Sequence, residues 1–193
     1  MKAYLICLIA LFCLHSVVNA KEITETYENG ETKSISEYVD GKLVVQKKYS
    51  LKGLLTYELR FDEEGNKYEI QRSYYDDERP LKIRPLKNNL THGLEKEYYR
   101  NGHLRAIRHY IAGKKEGVAQ GFYENGRLQG DWLFEAGEPI SAEIHYMTGG
   151  VHLKHRFENG KKNGLTKEYD KNGKLMAKRY YKNDKMIKRK RVR

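Results

Sequence analysis

Few residues of this chain have the types and spacing that could perform chemistry. His152 and His155 are close enough in sequence to suggest two ligands of one metal ion. Successive side chains of a strand point to opposite faces, so a spacing of three separates these histidines unless the backbone is irregular at Gly149 and Gly150. We therefore expect neither a metal site nor a cofactor.

Two acidic clusters, at residues 62–64 and 76–78, could supply paired carboxylates for acid–base catalysis. Adjacent acids in predicted turns are usually solvated, however. The sequence contains no GxSxG nucleophile elbow, no HExxH zinc-binding pattern and no phosphate-binding glycine loop. We expect no catalytic residues, and hence a protein that is not an enzyme.

Three tyrosines are the first binding candidates. Tyr75, Tyr99 and Tyr123 are 24 residues apart, and each directly follows an aromatic position of the repeat described below. Such neighbours point to opposite faces of a strand, so these rings would form an outward row. Exposed tyrosines offer a large apolar area with a polar tip, which favours a protein partner. The alternative is that the rings pack against Lys and Arg stems on the same face.

The positive charge is concentrated at the C-terminus. The chain has 193 residues and a formal net charge of +11, and residues 174–193 hold ten Lys and Arg against one Asp. Such a segment can contact anionic membrane or envelope surfaces, bind nucleic acid, or keep a sheet edge soluble. We expect an anionic envelope or membrane surface as a second partner and do not expect nucleic acid. The densest basic residues are Lys188, Arg189, Lys190, Arg191 and Arg193.

The first 20 residues have the pattern of a secretory signal peptide. Lys2 precedes an apolar run over residues 3–14, and the segment ends in Val18, Asn19 and Ala20. The run is too short to span a bilayer as an anchor. We expect cleavage after Ala20 and a secreted or periplasmic protein. Both cysteines would be removed with this segment, leaving no disulfide.

An aromatic residue recurs about every twelve residues. Glycine follows most of these positions by three or four residues and is often preceded by Asn, which is a strong hairpin signal. The runs between the turns alternate with period 2, as strands do. The pattern predicts an all-β, elongated antiparallel meander of hairpins, with one strand and one turn per twelve residues and a full repeat of about 24. The aromatic positions are Tyr27, Tyr38, Tyr49, Phe61, Tyr74, Tyr98, Tyr110, Phe122, Phe134, Tyr146, Phe157, Tyr169 and Tyr181.

The repeat resembles the bacterial variant of the MORN repeat. The resemblance is carried by a Tyr or Phe, then Asn and Gly, a second Gly and a strand, and is most specific over residues 98–117 and 157–173. It implies protein binding, scaffolding or contact with membrane lipid. Two other functions stay open: an antitoxin-like component of a toxin and antitoxin pair, and an accessory module of an enzyme acting on envelope polysaccharide.

Prolines interrupt the pattern once. Pro80 and Pro85 cannot donate to a central ladder, so we expect a bulge, loop or hinge there. The oligomeric state is left open, because the ends of an open meander can pair with each other. The expected organisation is a signal peptide at 1–20, N-terminal repeats at 21–75, an irregular connection at 76–92, C-terminal repeats at 93–184 and a basic tail at 185–193.

Overall fold

The structure is a computed structural model that describes residues 19–192. Most of the expected signal peptide and Arg193 lie outside the described residues. The described part forms 18 strands of one sheet and contains no helix, and hence no helix that could cross a membrane. The strands are β1 (Ala20–Thr26), β2 (Thr32–Val39), β3 (Lys42–Tyr49), β4 (Leu55–Phe61), β5 (Lys67–Tyr74), β6 (Pro80–Lys87), β7 (Leu90–Thr91), β8 (Gly93–Tyr98), β9 (Leu104–Ile111), β10 (Lys114–Lys115), β11 (Gly117–Phe122), β12 (Leu128–Glu135), β13 (Glu138–His145), β14 (Val151–Glu158), β15 (Lys161–Lys162), β16 (Gly164–Tyr169), β17 (Leu175–Lys182) and β18 (Lys185–Arg191).

All strand pairs are antiparallel, and consecutive strands pair with each other except β7 with β8, β10 with β11 and β15 with β16. The short strands β7, β10 and β15 are each separated by one residue from the longer strand that follows. Each short strand and its following strand pair with the same edge of the preceding strand, as β7 and β8 both pair with β6. β1 pairs only with β2, and β18 only with β17, so these two strands are the ends of the sheet. The predicted all-β meander of hairpins is confirmed.

The turns differ between the two sides of the sheet. On one side, two-residue turns such as Asp40-Gly41 and Asn159-Gly160 have positive φ at both residues. On the other side the turns are longer, and the Tyr99 amide donates to the His103 carbonyl at 2.8 Å. We call these sides the tight-turn side and the wide-turn side.

All buried side chains lie on one face of the sheet, which we call the packed face; the other is the open face. The cross-strand register places them on this face together. Most are small, because a single sheet has no second layer to bury large groups against. Longer side chains of the same face lie over them. The buried set is Ser34, Ser36, Leu59, Glu69, Glu95, Ala106, Ala119, Ala142, Thr166 and Ala177.

The segment expected to be an irregular connection contains a regular strand. β6 pairs with β5 from Pro80 to Lys87 and with β8 on its other side, so the sheet continues through it. Pro80 is the first residue of the strand, where proline is tolerated. The Pro85 carbonyl accepts from the His92 amide at 3.0 Å, so the missing N–H of Pro85 falls where His92 separates β7 from β8. The sheet is not interrupted here, because both prolines occupy positions that need no donor. Of the expected bulge, loop or hinge, a bulge is present: the register shifts between Ser73 and Tyr74, and Tyr74 lies opposite Pro80.

The C-terminal basic segment is also part of the sheet. β18 pairs with β17 from Lys185 to Arg191, and all seven of its residues are exposed. The structure therefore replaces the expected tail with an edge strand whose side chains are held on two defined faces.

Candidate binding surfaces

The three candidate tyrosines form a hydrogen-bonded ladder along the wide-turn side. The hydroxyl of Tyr75 donates to the Tyr98 carbonyl, that of Tyr99 to Phe122, and that of Tyr123 to His145, each at 2.8 Å. The rings are half-buried. Each bond joins one wide turn to the next, so these tyrosines connect consecutive repeats.

The three tyrosines do form a row, but they are half-buried and hydrogen-bonded and not exposed as expected. The guanidinium of Arg100 lies 5.3 Å from the Tyr75 ring centre, and that of Arg105 lies 5.9 Å from the Tyr99 ring centre. These contacts match the alternative in which the rings pack against basic side chains. That the tyrosines bind a partner stays a prediction.

A cavity of about 500 Å³ opens on the packed face beside Tyr99. Its floor is made of small residues, among them Ala119 and Gly121. Trp132 and Phe134 line one side, and the Lys115 ammonium lies 4.8 Å from the Phe134 ring centre. The sequence did not predict this cavity, because its lining comes from four strands.

Next to this cavity lies a buried ion-pair network. The Glu95 side chain is 4% exposed and accepts from Arg84 at 2.8 Å, while Lys82 and Arg108 lie 3.0 and 3.2 Å away. Burial by itself would raise the pKa of Glu95, but hydrogen bonds from Arg84 and Lys82 outweigh it and hold that pKa below its ordinary value. The pKa of Glu97 is lowered in the same way by Arg108 and Lys82. These charges are paired with one another within the sheet.

The two histidines considered as metal ligands are not brought together. His152 stacks on Tyr146 with 4.3 Å between ring centres, whereas His155 Nδ1 lies 3.1 Å from Thr166 Oγ1. Burial lowers the pKa of His155, with Lys162 and Arg179 adding to the effect. Within residues 19–192, no three His, Cys, Asp or Glu side chains converge as a metal site would need.

The acidic clusters serve turns and exposed ion pairs. Asp62 accepts hydrogen bonds from the amide and the side chain of Asn66, which closes a turn. Asp76 and Asp77 lie within 4.0 Å of Arg100. None of these contacts pairs a carboxylate with a nucleophile.

The basic residues of β18 are divided between the two faces. The register places Arg189 opposite Arg179 and Arg191 opposite Ala177, on the packed face. Arg189 is held there by Glu168 at 3.0 Å. Lys188 and Lys190 point to the open face, opposite Tyr180 and Lys178. Of the predicted basic residues within the described part of the chain, the open face therefore carries only these two lysines.

Four lysines line up on the open face. Lys154 lies opposite Lys167, Lys167 opposite Lys178, and Lys178 opposite Lys190, across β14, β16, β17 and β18. We call these four residues the lysine row. Lys154 pairs with Glu143 at 2.5 Å, and the other three form no ion pair with the described residues. Sequence reasoning found only Lys190; the intervals of 13, 11 and 12 residues fit one strand each, but the alignment requires the register.

Comparison with known proteins supports the repeat assignment. The sequence profile described as the MORN repeat variant matches residues 91–112, 115–136 and 162–183. No curated protein matches the sequence. MORN repeats generally mediate protein or membrane binding.

Solved structures resemble the chain only distantly. The accessory secretory protein 1, 2 and 3 structure of Streptococcus pneumoniae is 15% identical, with a TM-score of 0.33 over 62% of this chain and 21% of that one. A variant of S. aureus TarM is 8% identical, with a TM-score of 0.28 over 68% of this chain and 21% of that one. The chain thus spans about a fifth of the length of the solved chains it matches. The chain therefore carries MORN repeats of the variant type at residues 91–112, 115–136 and 162–183.

Proposed function

We propose that this protein is an exported, non-enzymatic repeat module that binds a protein partner and attaches to an anionic envelope or membrane surface through its basic C-terminal strands. The lysine row carries the proposal. Lys167, Lys178 and Lys190 are aligned on adjacent strands and form no ion pair with the described residues; Lys167 and Lys190 are exposed and Lys178 is half-buried. Like charges directly opposite each other destabilise a sheet, so the arrangement is expected only where an anion offsets it.

Charge segregation supports the same conclusion. The carboxylate of Glu168 is on the packed face, bonded to Arg179 and Arg189. The open face of the last strands is left positive. A positive surface attracts anionic lipid or polymer over about a Debye length, roughly 8 Å at physiological salt.

A protein partner is supported by the packed face. Its cavity combines Tyr99, Trp132 and Arg105, the residue types enriched where proteins bind each other. The tyrosine ladder keeps successive repeats in fixed positions. A partner would therefore bind a preformed surface, and little conformational entropy would be lost on binding.

Cosedimentation with vesicles tests the proposal. The purified protein is mixed with vesicles of phosphatidylcholine, alone or with phosphatidylglycerol. We expect binding only to the anionic vesicles, and loss of most binding in Lys167→Gln/Lys178→Gln. The matched control is Lys33→Gln/Lys42→Gln, which removes equal charge from exposed lysines of the N-terminal strands. Equal loss in both variants would show that net charge, and not the C-terminal surface, is responsible.

Export is tested separately by the N-terminus of the purified protein. Cleavage after Ala20 predicts that intact-protein mass and N-terminal sequencing both identify Lys21 as the first residue. A chain that retains residues 1–20 in a cytoplasmic fraction would contradict the expected export.

A further inference from the structure

We infer that the lysine row is a binding track for a linear phosphate polymer that crosses β14, β16, β17 and β18 on the open face. The inference rests on the proposed function and names the ligand of its basic surface. It follows from three properties of the row: the alignment, the missing countercharges and the uncharged positions beside it.

The alignment makes the row a line. Adjacent strands lie about 4.8 Å apart, so the four lysine Cα atoms span roughly 14 Å at right angles to the strands. Each lysine is directly opposite the next in the register. A polymer chain lying across the strands would therefore pass one ammonium group on every strand.

Countercharges are missing along this line. Glu143 compensates only the end of the row, at Lys154. The nearest acid of β16, Glu168, is on the packed face and already binds two arginines. An anionic chain would thus meet Lys167, Lys178 and Lys190 without displacing an ion pair.

The neighbouring row on the open face carries positive charge only at its two ends. Two residues further along the strands stand Arg156, Leu165, Tyr180 and Lys188, so the two central positions are uncharged. The line of four lysines, bordered at its centre by Leu165 and Tyr180, matches a linear chain of anions.

The side chains of the row favour phosphate groups that are bound through their charge and not through paired hydrogen bonds of fixed geometry. Lysine offers a compact point charge with three rotatable donors, whereas arginine suits planar, bidentate pairing. The row contains only lysine, and Lys167 and Lys190 are exposed. Flexible ammonium groups of this kind can pair with any phosphate along a flexible polymer and do not require one particular phosphate unit.

Titration with long-chain inorganic polyphosphate tests the inference. The variants are Lys167→Gln/Lys178→Gln in the row and Arg189→Gln/Arg191→Gln on the packed face, which removes the same charge from the same end of the sheet. We expect about a tenfold loss of affinity in the first, from two lost phosphate contacts, and less than a twofold loss in the second. Circular dichroism and thermal unfolding confirm that each variant is folded.

Several outcomes would overturn the inference. Equal losses in the two variants would mean that net charge binds the polymer. Tripolyphosphate binding as tightly as the long chain would mean a discrete phosphate site, and an oligodeoxythymidine binding more tightly would mean a nucleic-acid surface. Retained binding to phosphatidylglycerol vesicles without polyphosphate binding would overturn this inference and leave the proposed function standing. A protein that binds neither phosphatidylglycerol vesicles nor polyphosphate would contradict the proposed function and this inference.

Discussion

The Tyr99 hydroxyl donates a 2.8 Å hydrogen bond to the carbonyl of Phe122, one repeat further along the chain. Tyr75 and Tyr123 make the same bond to the turns that follow them. One side of the sheet is thus connected repeat to repeat by side chains, in addition to the backbone ladder. In a repeat protein, such contacts between neighbours set the stability of the array.

The tyrosine ladder predicts a loss of stability on removing one hydroxyl. Tyr99→Phe keeps the ring and leaves the Phe122 carbonyl without its donor, at a cost of about 1 kcal/mol in the free energy of unfolding. Urea denaturation measures it. Tyr180→Phe is the control, because no hydrogen bond of the Tyr180 hydroxyl is present in the described structure. If both variants lose the same stability, the ladder does not stabilise the fold.

Glu95 predicts a larger loss. Glu95→Gln would leave Lys82, Arg84 and Arg108 around a neutral amide. We expect a cost of about 2–3 kcal/mol, below that of a fully enclosed pair because the Arg84 side chain is 42% exposed. The control is Glu124→Gln, an exposed acid of a wide turn. A Glu95→Gln protein as stable as the control would show that the network does not contribute.

Stability should fall in acid in two stages. The folded pKa of His155 lies below 6.5, so the unfolded chain takes up the proton first and stability falls as the pH drops below about 6.5. The folded pKa values of Glu95, Glu97 and Glu168 are also lowered, so their contribution is complete above about pH 4.5 and is lost below it. Urea midpoints measured across pH 3–8 check the sign, and His155→Gln should remove only the upper stage. Constant stability from pH 7 to pH 5 would contradict the lowered pKa of the half-buried His155.

Gly130 predicts a packing defect. A Cβ atom at this position would lie 2.8 Å from the Glu143 carbonyl oxygen and 3.0 Å from the Trp132 ring. Gly130→Ala should therefore cost about 1–3 kcal/mol, the range found for overpacked sites. At Gly121 the nearest atom is a Trp132 ring carbon at 3.3 Å, so Gly121→Ala should cost less. Thermal unfolding orders the two variants, and the reverse order would contradict the position of the Trp132 indole.

The sequence was enough to predict the strand order, because Asn-Gly turns and period-2 alternation are local signals. Alternation alone does not tell which face packs. Leu94 is 52% exposed and Glu95 is 3% exposed, the reverse of what hydrophobicity suggests. Glu95 lies on the packed face because the register places it in line with Arg108 and Ala119. On that face its carboxylate contacts Arg84 and Lys82.

The candidate surfaces could not be predicted from the sequence, because they are formed by contacts between repeats. Tyr99 and Phe122 are 23 residues apart, and their hydrogen bond follows from the bend of the wide turn, which no local pattern specifies. The basic character of residues 188–191 was visible, but its division between two faces was not. Only the register joins Lys190 to Lys178 and Lys167.

The salt dependence of polyphosphate binding tests the central claim most directly. Each lysine that contacts a phosphate releases about one counterion, so Lys167→Gln/Lys178→Gln should lower the slope of log affinity against log salt concentration by about two. Arg189→Gln/Arg191→Gln should leave the slope unchanged, because those side chains are on the packed face. Equal reductions in both variants, or none in the first, would contradict a lysine row that binds the anion.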